Sequence, residues 1–433
     1  MTSFAPNTHL SERIGQENPL ASVESVDRLN AEFYSRFPYP PLAAKFDYLE
    51  DPDFERVMLC QSIGDFTHRR LPRDSKIWVV GCGTNQAIQT ALRFPEASVL
   101  GTDLSAATLE LSSRVAGSIN VENLTLRQQS IAAGADRDHF DYILCTGVIH
   151  HNADPAAALS TLAAALKPDG ILELMVYNSY HRTLPIAFQE AVQILGKQAG
   201  RADFSDDIEI ARALIKSVPG NTPMGQWLTS LEERSESDIA DLLIQPVEHT
   251  YTVESLASLA KAAGLELLIP TVSPLMKYRN LPCSWDLDCD DFPLRETYEK
   301  LPDVMRWQMG NLLLNDQSPM LWFYLQRQNS PFPRKSEQEV CDAFMAAAWA
   351  PARTLQRNFV RDEHGSFRLS PKSIPYPLSR PELALKEIVD HAEGKESMRA
   401  VWQHLGWQPS RTRVNEARVK LATSASPFLR AVN

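Results

Sequence analysis

The chain has 433 residues, 44% hydrophobic and 22% charged, a globular composition too long for one core of ordinary size, so two or three domains are expected. A formal charge of −11 disfavours a general nucleic-acid binder, and no run approaches the roughly 20 apolar residues that span a bilayer. Met1 to Leu20 lacks a basic head followed by an apolar run, and Cys60, Cys82, Cys145, Cys283, Cys289 and Cys341 show no C-x-x-C pairing. The sequence therefore reads as cytoplasmic, with no membrane span, no disulfide framework and no metal site.

In chain order, the first expected element is a helix over Val23 to Arg36, followed by the stiff strap Phe37-Pro38-Tyr39-Pro40-Pro41-Leu42. Residues 1–74 are assigned to an N-terminal helical lid segment, and Tyr39 is a candidate substrate contact. Lys76-Ile77-Trp78-Val79-Val80 then reads as a strand, Gly81-Cys82-Gly83-Thr84-Asn85 as a tight turn and Gln86 to Arg93 as a helix. A second strand runs from Ala97 to Thr102 and ends in Asp103, with Ser105 placed to cap the next helix. Gly83 and Asp103 lie one β-α-β step apart. In a doubly wound sheet both then fall at the carboxyl edges of adjacent strands, where ligands bind and where an acidic residue can accept hydrogen bonds from a ribose diol.

The alternation continues with strands over Leu124 to Ser130 and Phe140 to Thr146. Asp154-Pro155 opens a helix striped by Leu159, Leu162, Ala163 and Leu166, and Lys167-Pro168-Asp169-Gly170 stops it. Ile171 to Tyr177 forms a fifth strand. After an insertion over 178–249, read as a helical cap, Thr252 caps a helix and Leu265 to Thr271 and Met320 to Gln326 complete an open parallel sheet with an antiparallel edge. A second insertion spans 274–318. Its acidic run from Asp286 lacks the Gly and Glu that an EF-hand loop needs at the sixth and twelfth positions, where Asp291 and Thr297 stand. The expected class is α/β, a Rossmann-like doubly wound domain over 75–328 with helical insertions.

From Pro331 to the end the chain carries 16 Lys and Arg against 11 Asp and Glu, a reversal of the acidic remainder. Residues 331–433 are read as a small α+β accessory domain, winged-helix-like in its hairpin and short helices. Its partner is expected to be an acidic protein or the acidic core of its own chain rather than DNA.

A dinucleotide would need a third glycine where Gln86 stands, which crowds the pyrophosphate position. The runs Val80-Gly81-Cys82-Gly83-Thr84-Asn85, Gly101-Thr102-Asp103-Leu104-Ser105, Thr146-Gly147-Val148-Ile149-His150-His151 and Leu166-Lys167-Pro168-Asp169-Gly170 resemble, in order and spacing, the class I S-adenosylmethionine-dependent methyltransferases. The resemblance covers residues 75–328. It implies S-adenosyl-L-methionine as cofactor, with Gly81, Cys82, Gly83 and Asn85 at its methionine and ribose portion, Asp103 and Leu104 at the ribose hydroxyls, Ser130 and Ile131 at the adenine, and Thr146 and Gly147 beneath the sulfonium. Three positions depart from the family pattern: Val79 and Ser130 replace common acidic residues and Asn85 a common glycine.

Methyl transfer requires alignment, exclusion of water and removal of a proton from a protonated acceptor. His150, His151, Tyr177 and His181 are the candidate catalytic groups, and Asn178 and Tyr180 join Tyr39 as candidate substrate contacts. The leading expectation is methylation of an O or N nucleophile on a small molecule, quite in keeping with a specialised metabolite. Alternatives are a peptide or protein methyltransferase whose C-terminal domain presents the substrate, and a non-enzymatic regulator that senses the cofactor.

Overall fold

The computed structural model describes residues 22–134, 136–200, 203–271, 285–287, 293–315 and 318–432. Part of the second insertion, including Asp288, Cys289, Asp290 and Asp291 of its acidic run, lies outside the described residues.

Ser22 accepts a hydrogen bond from Ser25 N and starts helix α1 (Val23–Arg36), which is followed by β1 (Lys45–Leu49) and α2 (Phe54–Ser62). The Rossmann-like repeat then runs β2 (Lys76–Val80), α3 (Gln86–Arg93), β3 (Ser98–Asp103), α4 (Ala106–Ser118), β4 (Leu124–Gln128), β5 (Phe140–Thr146), α5 (Pro155–Ala165) and β6 (Leu166–Tyr177). Four cap helices follow: α6 (Thr183–Ala199), α7 (Phe204–Ser217), α8 (Pro223–Thr229) and α9 (Glu236–Leu243). Helix α10 (Val253–Ala262) leads into β7 (Leu265–Pro270), and β8 (Met320–Arg327) closes the sheet.

The seven strands lie in the order β4-β3-β2-β5-β6-β8-β7. Every pair from β4 through β6 is parallel, whereas β8 is antiparallel to both β6 and β7. The antiparallel strand was expected at an edge, but it lies one place inside it. Its run from Met320 to Leu325 is too apolar for an open edge, and pairing on both sides buries all of it except the half-buried Trp322. The chain reverses its direction of travel across the sheet between β2 and β5, which places the topological switch point at their carboxyl ends.

Two hydrophobic cores flank the sheet. One packs α5 and α10 on the face presenting Trp78, Ile143 and Leu174. On the other face Ile77, Val79 and Leu144 meet α2 together with Val340, Phe344, Trp349, Trp402 and Leu421. The segment read as a single N-terminal lid is divided between neighbours. Helix α1 shares a third core with the cap, through Phe33, Phe37, Phe188, Ile208, Leu228 and Leu243.

Strand β1 pairs antiparallel with a strand over Thr354–Arg361, in register from Lys45 opposite Val360 to Leu49 opposite Gln356. The C-terminal hairpin therefore includes a strand from the other end of the chain. Two basic side chains of the last helix, Arg411 and Arg418 of Arg411–Leu421, turn inward: Arg411 Nη2 meets Asp286 Oδ1 at 3.0 Å, and Arg411 Nη1 meets Glu337 Oε2 at 3.1 Å.

Candidate active site

The glycine turn after β2 adopts the shape that its sequence requires. Gly81 and Gly83 have φ of 57° and 54°, a region that L side chains avoid. A Cβ on Gly83 would stand 2.7 Å from Tyr39 O, so the strap lies directly on the turn. Asn85 explains why the strap sits there. Its amide donates to Pro41 O at 2.9 Å and accepts from Ala43 N at 3.0 Å, while Thr84 Oγ1 donates to Pro40 O at 2.5 Å. Asparagine in place of the expected glycine thus clasps the strap to the turn. The Cys82 side chain is buried in the core, so only its backbone faces the turn.

Asp103 ends β3 with one carboxylate oxygen accepting from Gly83 N at 3.0 Å and the other from Ser105 N at 2.9 Å. Burial raises its pKa against these stabilising backbone bonds. Across the crevice, Gln86 Nε2 donates to Thr146 Oγ1 at 2.7 Å. The amide side chain thus spans the α3 N-terminus, where a pyrophosphate would rest in a dinucleotide enzyme. Gly147, at φ 79°, donates its N–H to Met175 O at 3.2 Å. Leu104 O accepts from Gln128 Nε2 at 3.0 Å, and Ser130 Oγ caps a short turn by accepting from Ala132 N at 3.0 Å. Ile131 is buried in the core beneath α5.

Beyond Gly147, a 3-10 turn over Ile149–His151 brings His150 and His151 against Tyr177. The His150 ring centroid lies 4.1 Å from that of Tyr177 and 4.2 Å from that of His151. Neither imidazole is suited to carry a proton. Burial holds His150 well below the ordinary histidine range and takes His151 down to about 4, although His151 Nδ1 lies 2.7 Å from Val247 O. His150 is fully buried, and neither ring nitrogen has a hydrogen-bond partner among the described residues.

Asn178 is occupied by structural bonds: Nδ2 donates to Ser318 O at 2.9 Å, and Oδ1 accepts from Asn311 Nδ2 at 3.0 Å and from Tyr180 N at 3.2 Å. The Tyr180 hydroxyl accepts from Gln308 Nε2 at 3.2 Å, and His181 follows at the turn into α6, its N–H on Asn178 O. These three lie on the sequence beside Tyr177, but their bonds run to the second insertion and the adjoining backbone.

Sequence reasoning missed the partners supplied by α1 and the cap. Tyr34 donates its hydroxyl to Asp241 Oδ1 at 3.1 Å, and Tyr177 reaches Asp241 Oδ2 at 3.4 Å. Arg182 stacks 4.3 Å from the Tyr177 ring and is held by Glu248 through two hydrogen bonds. Asn30 Nδ2 donates to His151 O at 2.8 Å, and Gln245 Nε2 reaches Asn30 Oδ1 at 3.2 Å. Ser35 and Ser105 hydroxyls meet at 3.1 Å. Helix α1 therefore lies over the carboxyl edge between β3 and β5. The one available signal was Asp241 itself, a carboxylate inside the apolar stretch Ile239, Ala240, Leu242 and Leu243.

Residues 78–172 match the family model described as "Methyltransferase domain". An uncharacterised protein of Synechococcus sp. is 29% identical over 265 residues, 57% of this chain and 61% of that protein. A ubiquinone biosynthesis O-methyltransferase of Neisseria meningitidis serogroup C is 27% identical over 146 residues, 31% of this chain and 61% of that enzyme. The chain thus spans about three-fifths of the length of these relatives. In fold, it is similar to PKMT2 from Rickettsia typhi in complex with AdoHcy, with a TM-score of 0.55 and 18% identity over 88% of this chain and 76% of that one.

Proposed function

On the premise that residues 78–172 form a class I methyltransferase domain, we propose that the whole chain is an S-adenosylmethionine-dependent methyltransferase acting on an O or N nucleophile of a small molecule. The carrying observation is the joint placement of Gly81, Gly83 and the Asp103 carboxylate at the switch point, bordered by Thr146 and Gly147. This cradle fits the cofactor: its two left-handed glycines bring backbone close, and its half-buried carboxylate stands at the end of β3, where a ribose diol would bind. The Gln86 bridge to Thr146 speaks against a dinucleotide in the same place.

The bound cofactor supplies a methyl group on a cationic sulfur that an in-line nucleophile displaces. The chain's own residues would do the rest. Asp103 and the glycine turn hold the ribose and the amino-acid portion. Gly147, whose added Cβ would stand 3.5 Å from Met175 Cε, leaves the neighbourhood of the reacting carbon clear of a side chain. The joint core of α1 and the cap covers this edge, which supports an enclosed acceptor of small size and excludes water during transfer. The test is calorimetric titration of the full chain with S-adenosylhomocysteine, followed by incubation with labelled S-adenosylmethionine and a cell extract split into small-molecule and protein fractions. Saturable binding and label in the small-molecule fraction are expected; label confined to protein overturns the acceptor assignment, and absence of binding overturns the cofactor.

A further inference from the structure

Within this methyltransferase reading, on which the inference rests, we infer that the acceptor is an aliphatic amine bound as its ammonium ion, with Asp241 as the counter-charge. Asp241 is 8% exposed, and among the described residues its carboxylate meets two neutral phenols, Tyr34 and Tyr177, but no cation. The nearby cation, Arg182, is already committed to Glu248 and to Leu242 O. Buried charges are ordinarily paired, and Arg182 acts on Asp241 only at longer range, so among the described residues no cation is in direct contact with this carboxylate.

A second, independent observation lies against the same Tyr177. The fully buried His150 imidazole lies against Tyr177 with both ring nitrogens unpartnered among the described residues. A buried polar group left unsatisfied is unfavourable, and a hydrogen-bonding ligand recovers that cost. Tyr39 joins the carboxylate to the cofactor cradle: its backbone lies on Gly83, and its phenol titrates upward through burial and the negative charge of Asp241.

The same groups disfavour an alcohol acceptor. Deprotonating an alcohol requires a strong base, and both imidazoles are held neutral and weakly basic. An ammonium needs only to pass one proton to the Asp241 carboxylate, which burial has raised to about 6. The freed nitrogen lone pair then forms the N–C bond as the C–S bond breaks. The positive charge moves from sulfur to the methylated nitrogen, and Asp241 returns its proton to solvent.

The test uses the full chain saturated with S-adenosylhomocysteine, and separately without it, and n-alkylammonium ions of two to six carbons, each compared with its n-alcohol by ligand-observed NMR. At least one ammonium is expected to bind tenfold or more tightly than its alcohol. D241N should remove that preference while its circular dichroism and S-adenosylhomocysteine affinity stay unchanged, and Y177F, which keeps the ring but removes one donor to Asp241, should weaken it severalfold. Absence of any preference, or its survival in D241N, overturns the inference. A parallel loss of S-adenosylhomocysteine affinity in D241N also overturns it, since the paired cation would then be the cofactor's own ammonium. If the chain fails to bind S-adenosylhomocysteine yet keeps the ammonium preference, the methyltransferase reading falls and the cation site stands.

Discussion

The Asp103 carboxylate anchors Gly83 N and Ser105 N, so replacing it removes one support of the glycine turn and one of the α4 N-terminus as well as the acceptor for the ribose diol. Hydrogen bonds to a charged group are worth about 1.5–3 kcal/mol each. Asp103→Ala should therefore weaken S-adenosylhomocysteine binding by roughly 10- to 100-fold, using about 1.4 kcal/mol per tenfold, as calorimetry of the purified variant will show. On the inferred amine site, the acid limb of ammonium binding is expected to belong to a carboxylate rather than a histidine. Asp241 faces Tyr34 from α1, Tyr177 from β6 and, at longer range, Arg182, Glu248 and the Tyr39 phenol; burial raises it to about 6. Below that pH it gains a proton and loses its charge, so ammonium binding should fall as pH drops through about 6, and D241N should abolish that limb. His151, already neutral above about 4, contributes no step near 6.5. A pH titration of alkylammonium binding that retains the limb in D241N would refute the assignment.

Strand β6 shows how one element carries both packing and an electrostatic load. Glu173 lies buried between β5 and β8, accepting from the Tyr142 hydroxyl and, at 2.7 Å, from Trp322 Nε1; burial raises its pKa to about 7. The folded state thus binds this proton more tightly than the unfolded chain. Stability contributed by the protonated form is present at low pH and lost as pH rises from about 4.5 through about 7. The shift corresponds to roughly 3 kcal/mol at neutral pH. Glu173→Gln, which keeps an acceptor without the charge, should therefore be more stable than the parent at pH 8 and nearly equal at pH 5, measured by urea denaturation at the two pH values. The strap behaves as a second element with a local cause: Asn85→Ala removes one donor and one acceptor from it. A loss of about 1–2 kcal/mol is expected, together with faster proteolysis within residues 37–44.

At the scale of the whole molecule, the C-terminal hundred residues cover one face of the sheet and pair with β1, so they are part of the same folding unit. Truncation at residue 330 should yield an insoluble or unfolded chain rather than a cofactor-binding core, judged by expression, circular dichroism and S-adenosylhomocysteine binding. Glu337 sits at the junction, with Arg306 at 3.2 Å, Arg411 at 3.1 Å and Asn415 at 2.9 Å. Glu337→Ala takes one of two carboxylates from each of Arg306 and Arg411, which keep Asp303 and Asp286, and should cost about 1–3 kcal/mol, seen as a lowered denaturation midpoint. The amino-acid sequence by itself determined the β-α-β repeat, the glycine turn and Asp103, because these rest on periodicity, left-handed glycines and a one-unit spacing, all local along the chain. Only the tertiary structure decided that β8 lies inside the sheet edge, that Lys45–Leu49 and Thr354–Arg361 share a sheet, and that Asp241 meets Tyr34 and Tyr177. Those juxtapositions join residues separated by tens to hundreds of positions, and they are set by which apolar faces bury one another, a competition that no single segment's pattern records.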